Sequence, residues 1–335
     1  MGLSYQPQFS LSADGNDITE AIWNNLISIS LRDNAGKKSD RLAIAITLPS
    51  SASTPPKGAV LNFSLGLNGT LIDKGQFIVD ELTLSGPPRR LQIVANAAPM
   101  DNTKQSGLLQ SHKTRSWDDV TLSNLVATIA KENDLIPKVS TDMATQTIAH
   151  IDQINESDMA LLTRIAQQYG AVVKPANGYL LFTTDAAGKS ASGSSLPVIT
   201  LAPEQVKTWQ CRFNSRRDAQ RVIAMYHDVE SGDTKEVSIG TGDPAYRILY
   251  TYPNKDEAEA AANARAKTVK AGSDALDITM ACQSDVMSMV AEGYVQLNGF
   301  GDKEDEQKWR VKTIEWTLMS TGMAMHITGD HGTPS

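Results

Sequence analysis

Several things are scarce in this chain, and each scarcity narrows what it can be. It has 2 cysteines in 335 residues. Cys211 and Cys282 stand far apart, in no CxxC or Cys/His spacing, which argues against a disulfide framework or zinc site and leaves two reduced core thiols as the expectation. No run approaches the ~18 apolar residues that a membrane-spanning helix needs, so no membrane insertion is expected. The start, Met1 to Ser12, lacks the basic-then-apolar layout of a signal peptide, and the expectation is a protein that stays in the cytoplasm where it is made. Aromatic residues make up only 6%, yet apolar side chains recur along the whole length, as in a globular chain and unlike a disordered or fibrous one.

A basic surplus is also missing. The net charge is -7, and from residue 201 onward 20 acidic side chains stand against 15 basic ones. A nucleic-acid binder takes its affinity from clustered Lys and Arg, so that class is disfavoured, although DNA could still slide past an acidic wall. The familiar catalytic signatures G-x-S-x-G, H-E-x-x-H and G-x-x-x-x-G-K-[ST] are absent as well.

Periodicity then gives the organisation. Leu26–Leu31, Leu42–Leu48, Val60–Leu67 and Phe77–Leu84 carry apolar residues at alternate positions between turn-rich links such as Asn68-Gly69 and Gly86-Pro-Pro88, which predicts an antiparallel sandwich or barrel with one short helix near Asp17–Asn24. Helical spacing takes over at Leu122, Leu125, Val126 and Ile129 behind the N-cap Thr121, with Pro137 beyond the end. It returns at Leu161, Leu162, Ile165 and Ala166 between Ser157 and Gly170. A hairpin follows over Ala171–Lys174 and Tyr179–Thr183, and the Ala/Gly/Ser stretch Ala186–Ser195 reads as a linker.

Strand patterning resumes in Val206–Phe213, Val222–Tyr226, Ile248–Tyr252, Leu276–Met280, Trp309–Leu318 and Met323–Thr328. One helix interrupts it, opened by the capping pair Asn254 and Glu257 and stopped at Gly272. An internal echo links the two β regions. Leu67-Asn68-Gly69 precedes Phe77-x-Val79-x-x-Leu82-x-Leu84, and Leu297-Asn298-Gly299 precedes Trp309-x-Val311-x-x-Ile314-x-Trp316. Chance similarity between two hairpins explains this as readily as two copies of one β fold.

Four constellations could carry chemistry. Gly240-x-Gly242-x-x-Ala245 has the glycine spacing of a dinucleotide loop, but the extended-looking residues after it favour a turn. His150 and Asp152 would share a strand face, with no third ligand for a metal, so a hydrogen-bonded pair is the better reading. Asp118-Asp119 and the acidic run Asp302–Glu306 could offer a glycosidase its two carboxylates, yet solvated turn residues look the same in sequence. Arg212, Arg216, Arg217 and Arg221 form a basic cluster that could meet an acidic partner or simply lie solvated. The methionines Met280, Met287, Met289, Met319, Met323 and Met325 read as core filler. No catalytic, cofactor-binding or metal residue is assigned.

The middle of the chain resembles the phage late control gene D family. The resemblance rests on Thr114-Arg-Ser-Trp117-Asp-Asp-Val120-Thr-Leu122, Ile148-Ala-His150-Ile-Asp152-Gln, Glu156-Ser-Asp158 and Leu162-x-Arg164-x-Ala166-x-x-Tyr169-Gly170. It implies a β-rich α+β fold with two tube-like antiparallel β-barrel domains at 1–99 and 205–335. A helix/hairpin domain would occupy 100–185, with a LysM-like element at Trp117–Pro137 serving as scaffold. A linker at 186–204 and a helical insertion near 254–271 complete the plan. The implied function is the baseplate hub of a contractile phage tail or tail-like particle, a homotrimer joining the sixfold tail tube to a threefold spike. Tape measure and baseplate wedge proteins would be further partners, DNA only passing cargo, the virion tail the final location and the host cytoplasm the place of assembly. Because type VI spike proteins continue beyond the hub whereas this chain ends at Ser335, a separate spike chain is expected. The alternatives are a tail-associated peptidoglycan hydrolase and the hub portion of a type VI spike.

Overall fold

The computed structural model describes residues 6–36, 38–49, 54–97, 109–176, 178–184, 196, 198–213, 219–271 and 274–331. The anticipated linker Ala186–Ser195, Gly272 and two of the clustered arginines, Arg216 and Arg217, lie outside the described residues.

Alternating burial commits the first third to strands that hide one face. In order they are β1 (Pro7–Ala13), β2 (Asn16–Asp17), β3 (Leu26–Asn34), β4 (Arg41–Thr47), β5 (Val60–Leu67), β6 (Thr70–Ser85) and β7 (Arg90–Asn96), with the short helix α1 (Thr19–Trp23) before β3. In β4, Leu42, Ile44 and Ile46 are buried while their neighbours are not. This face contributes to an apolar core with Leu31, Phe63, Phe77 and Ile93.

The middle segment folds around its own core. It contains β8 (His112–Thr121), α2 (Leu122–Glu132), β9 (Ile136–Val139), α3 (Thr141–Ala144), β10 (Thr147–Ser157), α4 (Asp158–Tyr169), β11 (Ala171–Ala176) and β12 (Tyr179–Thr184). Both long helices start where the capping residues predict. Thr121 Oγ1 accepts from the Asn124 N–H at 3.3 Å and Ser157 Oγ from the Ala160 N–H at 3.2 Å. Gly170 ends α4 at φ 63, and a Cβ there would press on Ala264 Cβ at 3.0 Å, so glycine serves both the left-handed turn and a close helix contact.

The last third comprises β13 (Val198–Leu201), β14 (Thr208–Arg212), β15 (Arg221–His227), β16 (Thr234–Gly240), β17 (Ala245–Tyr252), α5 (Lys255–Ala271), β18 (Ala275–Ala281), β19 (Tyr294–Leu297), α6 (Asp302–Glu306), β20 (Lys308–Met319) and β21 (Gly322–His331). Here the structure departs from the sequence reading in two places. β13 occupies part of the segment read as linker. β15, β16 and β17, of which the sequence assigned two to the second barrel, form a separate three-stranded sheet that packs on α5 around Val222, Ala224, Val237 and Ala262. The insertion therefore takes in Arg221–Tyr252 as well as the helix.

Thirteen strands form one sheet. β3, β4, β7, β6, β5 and β1 lie side by side in that order, and so do β14, β18, β21, β20, β19 and β13. With the β15–β17 insertion and β2 set aside, the two halves follow one plan. Their registers agree in detail. Ile93 faces Leu82 and Ile44, while Ile327 faces Ile314 and Ile278. The ladder slips between Val79 and Glu81 in the first half and between Val311 and Thr313 in the second, the same step of the strand. The halves differ in that β1 runs antiparallel to β5 and β13 parallel to β19.

The spacing from Phe77 to Leu84 and from Trp309 to Trp316 is thus a true internal repeat. The two Leu-Asn-Gly triplets are not. Phe77 faces Leu61 and Trp309 faces Val295, which sets Leu297 against Phe63 rather than against Leu67.

A single seam joins the halves. Thr313–Leu318 of β20 pair antiparallel with Ile29–Asn34 of β3, placing Trp316 opposite Leu31 on the buried face. On the outer face Glu315 accepts from Arg32 Nη2 at 2.5 Å and from Ser30 Oγ at 2.7 Å. Both halves share one apolar core, and among the described residues no ladder joins the outer strands of the sheet, which is open. The architecture is β-rich α+β. Because Trp316 is 1% exposed at the seam, Trp316→Ala should lower the free energy of unfolding by about 3–5 kcal/mol in urea denaturation.

Candidate assembly interface

Several of the residues weighed for catalysis make structural contacts. Asp118, His150 and Asp152 do meet on the exposed face of the two-stranded β8–β10 sheet, with His150 Nδ1 2.6 Å from Asp118 and Nε2 3.3 Å from Asp152. Ser116 donates to Asp152 at 2.6 Å. Hydrogen bonds to the Asp118 and then the Asp152 carboxylate hold the imidazole above its usual pKa, and the ring is more than half exposed. The run Asp302–Glu306 is the short helix α6, and Asp305 accepts the Gly299 and Phe300 N–H groups at 2.7 and 3.1 Å, closing the turn into β20. Gly240 and Gly242 connect two strands, with no helix after them. Of the described arginines in the basic cluster, Arg212 ends β14 and Arg221 begins a different sheet, where it reaches Asp243 at 3.3 Å. Among the described residues no group of three or more His, Cys, Asp or Glu side chains could hold a metal. Cys282 is buried beside Met287 and Cys211 is half-buried, and burial pushes the Cys211 thiol up to about 11.

The motif residues of the middle segment instead form one charged lock. Asp158, fully buried at the start of α4, accepts from Lys113 Nζ at 2.6 Å, Arg115 Nη2 at 2.8 Å and Gln153 Nε2 at 2.9 Å. Glu132 on α2 engages the same two cations at 2.8 Å each. Desolvation works against both charges, yet the bonds to Asp158 and Glu132 keep the Lys113 ammonium above its ordinary pKa, and Arg115 and Lys113 hold the Glu132 carboxyl below its own. Arg164 adds Glu156 at 2.7 Å and the Asp152 carbonyl at 2.8 Å. The lock fastens the two-stranded β8–β10 sheet to both helices.

A second polar cluster fixes this unit to the large sheet. Lys174 of β11 reaches Asp40 at 2.6 Å and the Asn34 carbonyl at 3.0 Å. Next to them Asp33 accepts from the Ala291 N–H at 2.8 Å. Burial, with Asp40 close by, raises the Asp33 carboxyl to about 6.

Some apolar surface is covered only in part by the described residues. Among the described residues β14 pairs with β18 alone, and β6 pairs with β5 only as far as Ile78, so on that side Glu81–Ser85 carry no ladder. Apolar side chains mark both edges: Leu84 is 53%, Trp209 42% and Phe213 41% exposed. An open groove of about 560 Å³ between the start of β1, α1 and the β20–β21 turn adds Trp23, Leu71 and Met319. Exposed apolar edges of this kind are candidate assembly surfaces.

The profile of the phage tail baseplate hub (GPD) family matches residues 81–322. The chain belongs to the phage tail baseplate hub family. The probable baseplate hub protein of Escherichia phage 186 is 29% identical over 364 residues, spanning 96% of this chain and 92% of that one. In fold, the hub resembles a tail protein from Neisseria meningitidis MC58, with a TM-score of 0.70 at 12% identity over 98% of this chain and 97% of the other. It also resembles an Escherichia coli component of the type VI secretion system, with a TM-score of 0.57 at 10% identity over 99% and 76%. The charged lock and the open edges of the hub escaped motif analysis, because their members meet only through tertiary pairing.

Two outcomes follow for the hub. Asp158→Ala leaves Lys113 and Arg115 with Glu132 as their one remaining carboxylate and should cost about 2–4 kcal/mol of unfolding free energy in urea titration, because the buried member of an ion network is removed. Asp33 carries the opposite sign. Its folded pKa of about 6 lies above the ordinary 3.8, so the carboxylate's burial cost is fully present above pH 6 and gone below pH 3.8. Asp33→Asn should therefore stabilise the hub by on the order of 1–3 kcal/mol at pH 7.5, with no gain at pH 3.5, as read by thermal melts across that range.

Proposed function

We propose that three copies of this hub close into a ring in which each chain fills two of six similar positions, so that one end meets a sixfold tail tube and the other a threefold spike. The observation that carries this reading is the duplicated sheet with its single internal seam, since a chain holding two copies of one unit can approximate twice the symmetry of its own oligomer. The groove beside Trp23 supports the threefold side. It needs α1 and β1 of the first half together with the β20–β21 turn of the second, so it recurs once per chain rather than twice.

In this reading the hub works through its interfaces, with tape measure and baseplate wedge proteins around it and DNA passing through. It serves an infectious virion or a headless tail-like particle equally well, assembled in the host cytoplasm. The structural engagement of Asp305 at its turn and of Asp118 with His150 supports an interface role over hydrolysis. Native mass spectrometry of the purified chain should give a trimer that binds a trimeric spike chain and leaves a peptidoglycan zymogram intact. A monomer, or clearing that Asp118→Asn or Glu304→Gln abolishes, would contradict the proposal.

A further inference from the structure

The ring reading leaves open which surfaces meet between chains, and the internal duplication supplies an answer. Equivalent residues follow from the ladders. Ile44 faces Ile29 and Leu42 faces Leu31, while Ile278 faces Trp209 and Leu276 faces Cys211. Since Ile44 and Ile278 occupy the same step, β14 is the counterpart of β3, with Trp209 in the place of Ile29, Cys211 in that of Leu31 and Arg212 in that of Arg32. By the same route Leu84 faces Leu91 and Trp316 faces Met325, and these in turn face Ile46 and Met280. Leu84 therefore stands in the place of Trp316 and Thr83 in that of Glu315.

Within the chain, β20 of the second half pairs with β3 of the first. The counterpart pair is β6 of the first half with β14 of the second, and among the described residues Glu81–Ser85 and β14 each lack a ladder on the side where that pair would form, as the end strands β1, beyond its short pairing with β2, and β13 also do on theirs. Burial agrees. Trp316 and Ile29 are each 1% exposed at the internal seam, whereas their counterparts Leu84 and Trp209 are 53% and 42% exposed. Apolar side chains stand at positions that the isolated chain covers only in part.

We infer that Glu81–Ser85 of β6 in one chain pair antiparallel with β14 of the next, in the register of the internal seam: Leu82 opposite Phe213, Thr83 opposite Arg212, Leu84 opposite Cys211 and Ser85 opposite Gln210. This rests on the ring reading and specifies its contact. The outer face keeps its charge logic, because Glu81 lies one diagonal step from Arg212 of the next chain, within reach of a long side chain. The pairing is heterologous, edge to different edge, so each chain both gives and receives one strand, and the ring closes only if the rotation per chain allows it. It also removes two long apolar sheet edges that would otherwise template aggregation.

The native Cys211 makes a direct test possible. Facing residues of an antiparallel pair have Cα atoms about 4.5–5.5 Å apart, inside the range a disulfide spans. In the full-length protein, Leu84→Cys oxidised with copper-phenanthroline should give covalent dimers and trimers on a non-reducing gel and no larger ladder. The products should vanish in Leu84→Cys/Cys211→Ser and should not form from Val229→Cys, a still more exposed site off the seam. Trp209→Glu, at a solvent-exposed position, should weaken trimer formation at least tenfold while the monomer keeps its circular dichroism spectrum. A trimer by native mass that does not cross-link, or that forms unchanged with Trp209→Glu, would overturn this seam and leave the ring reading standing. A chain that stays monomeric would overturn both.

Discussion

The backbone pairing of β20 with β3 is the contact on which the rest of this structure depends. It joins two halves that each present a six-strand plan and makes one core of them, with Trp316 and Leu31 at its centre. Without it each half would expose a long apolar edge. Its members lie far apart in the chain, Ser30 and Glu315 being 285 positions distant, so the pairing closes a loop that holds most of the protein. The middle unit and the α5 unit fill that loop, each with its own core. The lock around Asp158 makes the first of them rigid, and Lys174 and the Gly170–Ala264 contact fix both units against their neighbours.

Much of this was legible in the sequence where the signal is local. Alternating residues in β3, β4, β5, β20 and β21 marked one buried face, and Thr121, Ser157 and Asn254 marked helix starts because a cap is a contact between near neighbours. The repeat from Phe77 to Leu84 and from Trp309 to Trp316 showed through because both strands bury the same face and slip at the same step. The Leu-Asn-Gly triplets looked like part of it only because each ends the strand that leads into the repeat.

Sheet membership was not legible. β15, a run of apolar residues, and β17, with its tyrosines at alternate positions, read as strands just as β20 does, and nothing within a strand says which neighbour it will choose. β13, β16 and β19 are short or polar and gave too little pattern. The charged lock was visible only as a family resemblance, since Arg115 and Asp158 stand 43 positions apart and neither is unusual where it sits. Function was legible to the same degree. The missing catalytic signatures pointed away from an enzyme, and membership in the hub family now gives the chain its place in the tail, but the surfaces proposed to meet between chains emerge only from comparing one half of the fold with the other.

The central claim is that one chain supplies two equivalent positions of a ring. Its most direct test is an electron cryomicroscopy reconstruction of the purified assembly, computed without imposed symmetry at a resolution that separates strands. The account predicts six similar sheet units around a channel, joined by seams that alternate between continuous chain and chain boundary with the same strand register. A two-fold dimer, or a threefold assembly in which only one half of each chain lines the channel, would contradict it.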